Sequence, residues 1–172
     1  MNLIVAVDKN WAIGNKGDLL ARIRADLMNF KRITDGKIVV LGSNTLATFP
    51  GGRPLKNRIN IVLHPSPDYR PEGAVVVHSL EELFRELKKH DTNDVFVIGG
   101  ASVYKQLLPF CDTAYITKFE KSFEYDAALP DLDKDENWYC SEKGALQYSD
   151  PETDTEGGLP FYFTLYKRKQ NH

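Results

Sequence analysis

The chemistry available to this chain begins with one acid, Asp26, set among apolar residues on a helical repeat. At about 100° per residue, Ile23, Leu27, Phe30 and Ile33 share one arc of the segment 23–33, while Arg24, Lys31 and Arg32 turn to other sides. Asp26 falls inside the apolar arc, on what the pattern makes the buried side of an amphipathic helix. A buried carboxylate without a partner is costly. It is therefore either a structural acid satisfied by backbone donors or a hidden water, or a ligand-binding acid. In the second case desolvation raises its pKa and suits it to orient a heterocycle or relay a proton near neutral pH. The helix alone leaves both readings open.

Two further segments suit an anionic ligand. Val39 to Thr45 (VVLGSNT) and Val95 to Tyr104 (VFVIGGASVY) each run from an apolar strand through small residues into a helix. A helix N-terminus at the carboxyl end of a strand offers unpaired N–H groups and a positive dipole end, and glycine lets a phosphate come close to the backbone. At either place alone, glycine serving only a tight turn is the competing reading. Neither segment has the G-x-G-x-x-G fingerprint. Two such openings at one edge of a sheet suit a diphosphate cofactor better than a single phosphate.

Short β-branched runs must position these groups. Leu3–Val7, Lys37–Leu41, Ile59–Leu63, Ala74–Val77, Val95–Ile98 and Thr113–Thr117 read as strands. Helical patterns lie between several of them: Ile23–Ile33, a segment opening near Thr45, Leu80–Lys89 and Ser102–Leu108. Ser79 and Glu82 have the spacing of a capping box. Beyond Thr117 the character changes, and Tyr139–Ser141 with Pro160–Lys167 read as an antiparallel hairpin added to the sheet edge. The acids Asp150, Glu152, Asp154 and Glu156 between them read as a solvated loop rather than a metal site, and His64 to Pro71 reads as a proline-rich loop. The expected fold class is α/β in three layers: a central, mostly parallel sheet of about eight strands with a C-terminal antiparallel hairpin, flanked by helices.

Composition narrows the partners. A length of 172 residues suits a single domain, 1–172. With 22 basic and 24 acidic residues, scattered and summing to −2, nucleic acid and anionic membrane are not expected partners. Cys111, Cys140 and the histidines at 64, 78, 90 and 172 have no metal-ligand spacing, so no metal is expected. Free thiols fit a reducing compartment, and the first apolar run is too short for a signal peptide or membrane span, which makes the expected location cytoplasmic.

These residues, taken in order, resemble a known family. Leu3 to Asp8 (LIVAVD) with Ala12 to Gly14 (AIG), Asp26-Leu27 with Phe30-Lys31, Gly42-x-x-Thr45, Gly52 to Leu55 (GRPL) with Arg58, Val97 to Gly100 (VIGG) with Val103-Tyr104, and Tyr115-x-Thr117 are similar to dihydrofolate reductase. Phe161 to Tyr166 is similar to that family's C-terminal strands. The resemblance implies NADPH-dependent reduction of 7,8-dihydrofolate to tetrahydrofolate, with hydride transfer to C6 and protonation at N5, in one-carbon metabolism. It also implies a monomer, with antifolates such as trimethoprim or methotrexate as plausible ligands.

Carried over by position, Asp26 looks like the acid that bonds the pterin's amidine edge, and Thr117 like the threonine bonded to it. Ile4 and Ile98 resemble the positions whose carbonyls face the pterin. Val5, Leu27, Phe30, Phe49 and Leu55 resemble its walls, Tyr104 lies beside it, and Arg58 matches the arginine that takes the glutamate α-carboxylate, as a guanidinium fork meets a carboxylate. On the cofactor side, Ala6 and Ile13 match backbone partners of the nicotinamide carboxamide, with Gly14, Asn15, Gly17, Asp18 and Leu19 following. Gly42, Ser43, Asn44 and Thr45, together with Ile98, Gly99, Gly100, Ala101, Ser102, Val103 and Tyr104, match the pyrophosphate and nicotinamide site. Leu63 and His64 match the end that meets the 2′-phosphate. The implied arrangement holds two rings face to face while the cofactor supplies the hydride.

The chain departs from the family at Leu20-Ala21, where Pro-Trp is usual, and at Ser43, where an arginine is usual. Loop closure and proton delivery therefore do not carry over directly. The alternatives are the related pyrimidine reductase of riboflavin synthesis, disfavoured by Asp26 with Arg58, and a catalytically silent nucleotide-binding homologue.

Overall fold

The computed structural model describes residues 1–170; Asn171 and His172, the end of the expected 1–172 domain, lie outside the described residues. In chain order the strands are β1 (Asn2–Val7), β2 (Ala12–Asn15), β3 (Asp18–Leu19), β4 (Ile38–Gly42), β5 (Ile59–Leu63), β6 (Val75–Val77), β7 (Val95–Gly99), β8 (Thr113–Phe119), β9 (Ala127–Ala128), β10 (Trp138–Lys143), β11 (Gln147–Tyr148) and β12 (Pro160–Arg168). The helices are α1 (Arg24–Thr34), α2 (Ser43–Ala47), α3 (Leu80–Leu87) and α4 (Ala101–Leu107). Two compact units result, one of Met1–Leu3 with Thr34–Phe110, the other of Ile4–Ile33 with the residues from Cys111 onward.

The first unit is a parallel sheet. Strands β7, β4, β5 and β6 lie side by side in that order, and the start of β1 pairs with β7 at Asn2↔Phe96 and Leu3↔Val97. Val39, Val40, Leu41 and Val97 are fully buried, as expected of parallel strands covered on both faces. The Asn2 side chain donates to the carbonyls of Asn93 and Val95, holding β1 to the beginning of β7. Helix α3 has the expected Ser79 cap, whose Oγ accepts from the Glu82 N–H at 3.1 Å. The return bond differs from the expected capping box: Glu82 reaches the N–H of His78, one residue further back.

The second unit is built on antiparallel pairs. Strand β12 lies between β8 and β10, pairing Phe163↔Thr117 on one side and Lys167↔Tyr139 on the other, with β1 on the far side of β8. The expected hairpin is thus present, and its first strand runs longer than Tyr139–Ser141, with an irregular register between Cys140 and Glu142. Ala21, Ile23, Phe119, Leu159 and Phe161 form a buried cluster. A smaller sheet, β3-β2-β9, stands apart. Its strands of two to four residues are too short to give a periodic signal in the sequence.

One expectation needs correction. The apolar arc is only partly buried: Leu27 is 41% exposed, Phe30 and Ile33 are half-buried, and within the helix it is Thr34, off the arc, that is buried. Ile23, which is fully buried, precedes the helix instead of belonging to it. Periodicity finds an apolar face but cannot tell whether protein or ligand covers it.

Candidate functional site

In the second unit the site is organised by the start of α1. Ile23 anchors the chain in the buried cluster, and its carbonyl accepts the first helical bond from the Leu27 N–H at 3.0 Å. Asp26, two residues into the helix, is half-buried. Thr117 of β8 is only 5% exposed, and its hydroxyl donates to Asp26 Oδ1 at 2.6 Å across 91 residues of sequence. Burial raises the carboxyl from an ordinary 3.8 to about 6, and the Thr117 bond offsets only part of that rise. The partner is a neutral hydroxyl, and among the described residues no cation restores the charged form.

The other expected substrate residues of this unit lie on two elements. Leu27 and Phe30 are on α1, Leu27 open to solvent and Phe30 half-buried; Ile4 and Val5 are on β1, the first buried and the second partly so. Ala6, also on β1, packs against the Ala21–Phe161 cluster. Ile13, Gly14 and Asn15 lie on β2, Gly17 sits in the turn that follows, and Asp18 and Leu19 form the exposed strand β3, Leu19 at 50% exposure. Only glycine fits at 14, because a Cβ there would stand 2.9 Å from the Asp18 carbonyl oxygen.

Two acids that sequence reasoning passed over hold this strand. Asp8 is 3% exposed and accepts from the N–H groups of Asn10, Ala12 and Phe123. Asp126 accepts from the Lys16 N–H at 2.9 Å, and its own N–H donates to the Gly14 carbonyl. Asp8 closes a local turn just after a strand, a pattern visible in the sequence; Asp126 has no such local signal.

Ala21 is 6% exposed and packed with Ile23, Phe119, Leu159 and Phe161, so it is part of a core. Of the acidic segment, Asp150 and Glu152 are exposed, as expected of a solvated loop, while Asp154 and Glu156 are half-buried; the segment is ordered by its own bonds and tied to residues 22–24. Arg22 and Thr155 exchange two bonds, Arg22 N–H to Thr155 Oγ1 at 2.8 Å and Thr155 N–H to the Arg22 carbonyl at 3.3 Å. Asp154 Oδ1 accepts from the Arg24 N–H at 2.9 Å.

In the first unit, the ends of β4 and β7 meet. The register slips between Val40 and Leu41, setting Leu41 opposite Gly99. Gly42 and Gly100 are the residues before α2 and α4, and neither helix has a side-chain cap at its start. Cβ atoms on Gly99 and Gly100 would lie 3.3 and 3.2 Å from Thr45 Oγ1, and one on Gly42 would lie 3.2 Å from a Val103 methyl. The Gly99–Gly100 peptide is cis. Thr45, Gly42, Gly99, Gly100, Val103 and Tyr104, expected at the cofactor, are therefore brought together. Ile98 and Tyr104 are buried beside them, at 8% and 4% exposure. Ser43 and Ala101 are partly buried, while Asn44 is exposed; the exposed Ser102 accepts a bond from the Gln106 side chain.

Arg58 Nε donates to the Lys56 carbonyl and Nη1 to Thr34 Oγ1, which fixes the plane of the guanidinium. Phe49 and Leu55 are partly buried in the same unit. Leu55 is held through its N–H and carbonyl by the Asn60 side chain, 2% exposed, a buried amide that sequence reasoning missed. Leu63 ends β5, and His64 stacks on Tyr69 at 4.3 Å with Nδ1 accepting from the Ser66 N–H.

Comparison with known proteins identifies the family. The family model described as dihydrofolate reductase matches residues 1–168. The dihydrofolate reductase of Bacillus subtilis (strain 168) is 35% identical over 173 residues, covering 99% of this chain and 96% of that protein. That of Sus scrofa is 32% identical, covering 98% and 97%. A solved structure of the Enterococcus faecalis dihydrofolate reductase, complexed with NADP(H) and RAB-propyl, superposes with a TM-score of 0.83 at 34% identity, over 98% of this chain and 96% of that one. The α/β class, mostly parallel with C-terminal antiparallel strands, is shared with that structure. From the helix-borne acid and its threonine to the glycine-lined strand ends, and from the first residue to nearly the last, this chain belongs to the dihydrofolate reductase family.

Proposed function

We propose a division of labour for the dihydrofolate reduction that family membership assigns to this chain. Asp26 binds the pterin edge and promotes its protonation, Thr117 fixes the Asp26 carboxyl, and Arg58 takes the substrate's glutamate α-carboxylate. The observation that carries this reading is a half-buried carboxyl with a pKa near 6, bonded to a neutral hydroxyl. At pH 7 such a group is roughly one-tenth protonated, so it holds both a charge to orient N–H donors and an accessible proton. Thr117 occupies Oδ1, which sets the carboxyl plane and directs Oδ2 to the substrate. The open apolar side chain of Leu27 and the half-buried Phe30 on the same helix suit the wall of a flat ring.

The residues of the first unit fit NADPH. A cradle that any Cβ would narrow, at Gly42, Gly99 and Gly100, with two helix starts lacking side-chain caps, matches a pyrophosphate meeting backbone N–H groups. NADPH, when bound, supplies the hydride that reduces C6. Thr45 and the first turns of α2 and α4 hold its phosphates, and His64, steadied by Tyr69, faces the 2′-phosphate.

We take residues 1–172 as one functional domain and the protein as a monomer. The free cysteines suit a reducing compartment, the cytoplasm, and burial pushes the Cys111 thiol up to about 12, which keeps it unreactive. No helix among the described residues is long and apolar enough to cross a membrane. Antifolates with the same amidine edge are expected to compete at Asp26. The deciding experiment mixes purified protein with dihydrofolate and NADPH and follows loss of NADPH absorbance. Turnover is expected, with NADH much poorer, and no turnover overturns the reading.

A further inference from the structure

Helix α1 begins without a cap of its own. The residue that donates the first helical carbonyl, Ile23, has an apolar side chain buried in the Phe119–Phe161 cluster and offers no oxygen to the first-turn N–H groups. The acceptor arrives instead from the far end of the sequence. Asp154 Oδ1 takes the N–H of Arg24, the first residue of the helix, across a separation of 130 residues. Its other oxygen accepts from the Asp150 N–H at 2.7 Å, and its own N–H returns a bond to the Asp150 carbonyl at 3.1 Å.

The loop that presents Asp154 is preformed. Ser149, 4% exposed, donates its hydroxyl to the Glu156 carbonyl and accepts from the Leu159 N–H; Asp150 Oδ1 accepts from the Glu152 N–H. Lys121 Nζ pairs with Glu156 at 2.9 Å. A Cβ on Gly157 would stand 2.7 Å from the Pro151 backbone, so the two limbs of the loop touch. Residues 21–24 are thus held on both sides, by apolar packing through Ala21 and Ile23 and by the loop's bonds to Arg22 and Arg24. Asp26 is only two residues beyond Arg24, and its carboxyl must meet Thr117 at hydrogen-bond distance.

We propose that Asp154 is a positioning residue for Asp26: as a cap supplied from a distant loop, it fixes the first turn of α1 and with it the placement of the catalytic carboxyl. This rests on the assignment of Asp26 to proton handling.

The test is a double-mutant cycle of Asp154→Ala and Asp26→Asn, read in kcat, KM and the pH profile of turnover, with NADPH binding by fluorescence quenching as a check that the variants are folded. Asp154→Ala is expected to lower kcat by about 5- to 10-fold, the scale of one lost cap, to move the apparent pKa of turnover, and to leave NADPH binding unchanged. Asp154→Asn, which keeps the acceptor, is expected to retain most of kcat. In the Asp26→Asn background, Asp154→Ala is expected to add little. An equal loss in both backgrounds, or a lower melting temperature with unchanged kcat and pH profile, overturns the positioning role and leaves Asp26 as the acid. Normal turnover and an unaltered pH profile in Asp26→Asn alone overturn the Asp26 assignment, and the positioning role falls with it.

Discussion

If Asp26 is kept near pKa 6 by burial, the folded protein bears a cost for ionising it, and removing the charge returns that cost as stability. The rise from 3.8 to about 6, at about 1.4 kcal/mol for each pH unit, amounts to about 3 kcal/mol. The sign follows from proton counting. Between the unfolded and folded values the native state binds more protons than the unfolded chain, so wild-type stability falls as pH rises from about 4 to about 6 and carries the full penalty above that. Asp26→Asn removes the titration while leaving Thr117 an amide oxygen to donate to. The variant is therefore expected to be about 2–3 kcal/mol more stable than wild type at pH 8 and nearly equal to it at pH 4, a difference visible as a roughly 4–10 °C higher melting temperature at pH 8. Urea unfolding of both ligand-free proteins at half-unit steps from pH 4 to 8, followed by circular dichroism, gives the difference directly. A gap that does not change with pH, or a variant less stable at pH 8, refutes burial as the cause of the raised pKa.

Thr117→Val removes the interaction that favours the charged form, so the apparent pKa of turnover is expected to rise, extending activity to higher pH while lowering kcat at its optimum; a pH–rate profile checks it. Arg58→Ala is expected to weaken dihydrofolate binding by about 1.5–3 kcal/mol and leave a pterin without the glutamate tail unaffected, measured by titration calorimetry. Gly100→Ala places a methyl 3.2 Å from Thr45 Oγ1 and is expected to weaken NADPH binding by about tenfold or more, with dihydrofolate binding preserved, measured by fluorescence quenching.

The parallel strands and the two glycine-rich strand ends were legible because they depend on local sequence: continuous β-branched runs make buried strands, and small residues mark where a helix starts at a strand end. Asp26 stood out as an acid on an apolar face, but the pattern could not say that Leu27 on this face is open, at 41% exposure. The strands β2, β3 and β9 escaped because they are only two to four residues long, and the tie from Asp126 to the Gly14 carbonyl that helps hold β2 spans more than a hundred residues of sequence. Ala21 read as a lost tryptophan, whereas in the structure it fills a core position that a small side chain suits. Asp154 read as one acid in a solvated run, since nothing near it in sequence reveals that its partner is Arg24.

The separations spanned by these bonds bear on synthesis of the chain. Asp8 with Phe123, Lys16 with Asp126, Asp26 with Thr117 and Arg24 with Asp154 join residues 91 to 130 positions apart. The segment that carries the acid leaves the ribosome early and finds its threonine and its cap only in the last third of the message. Contacts of such span close slowly, so the reductive centre matures late, and a translation product halted before residue 154 holds the acid's helix with its first turn unsecured.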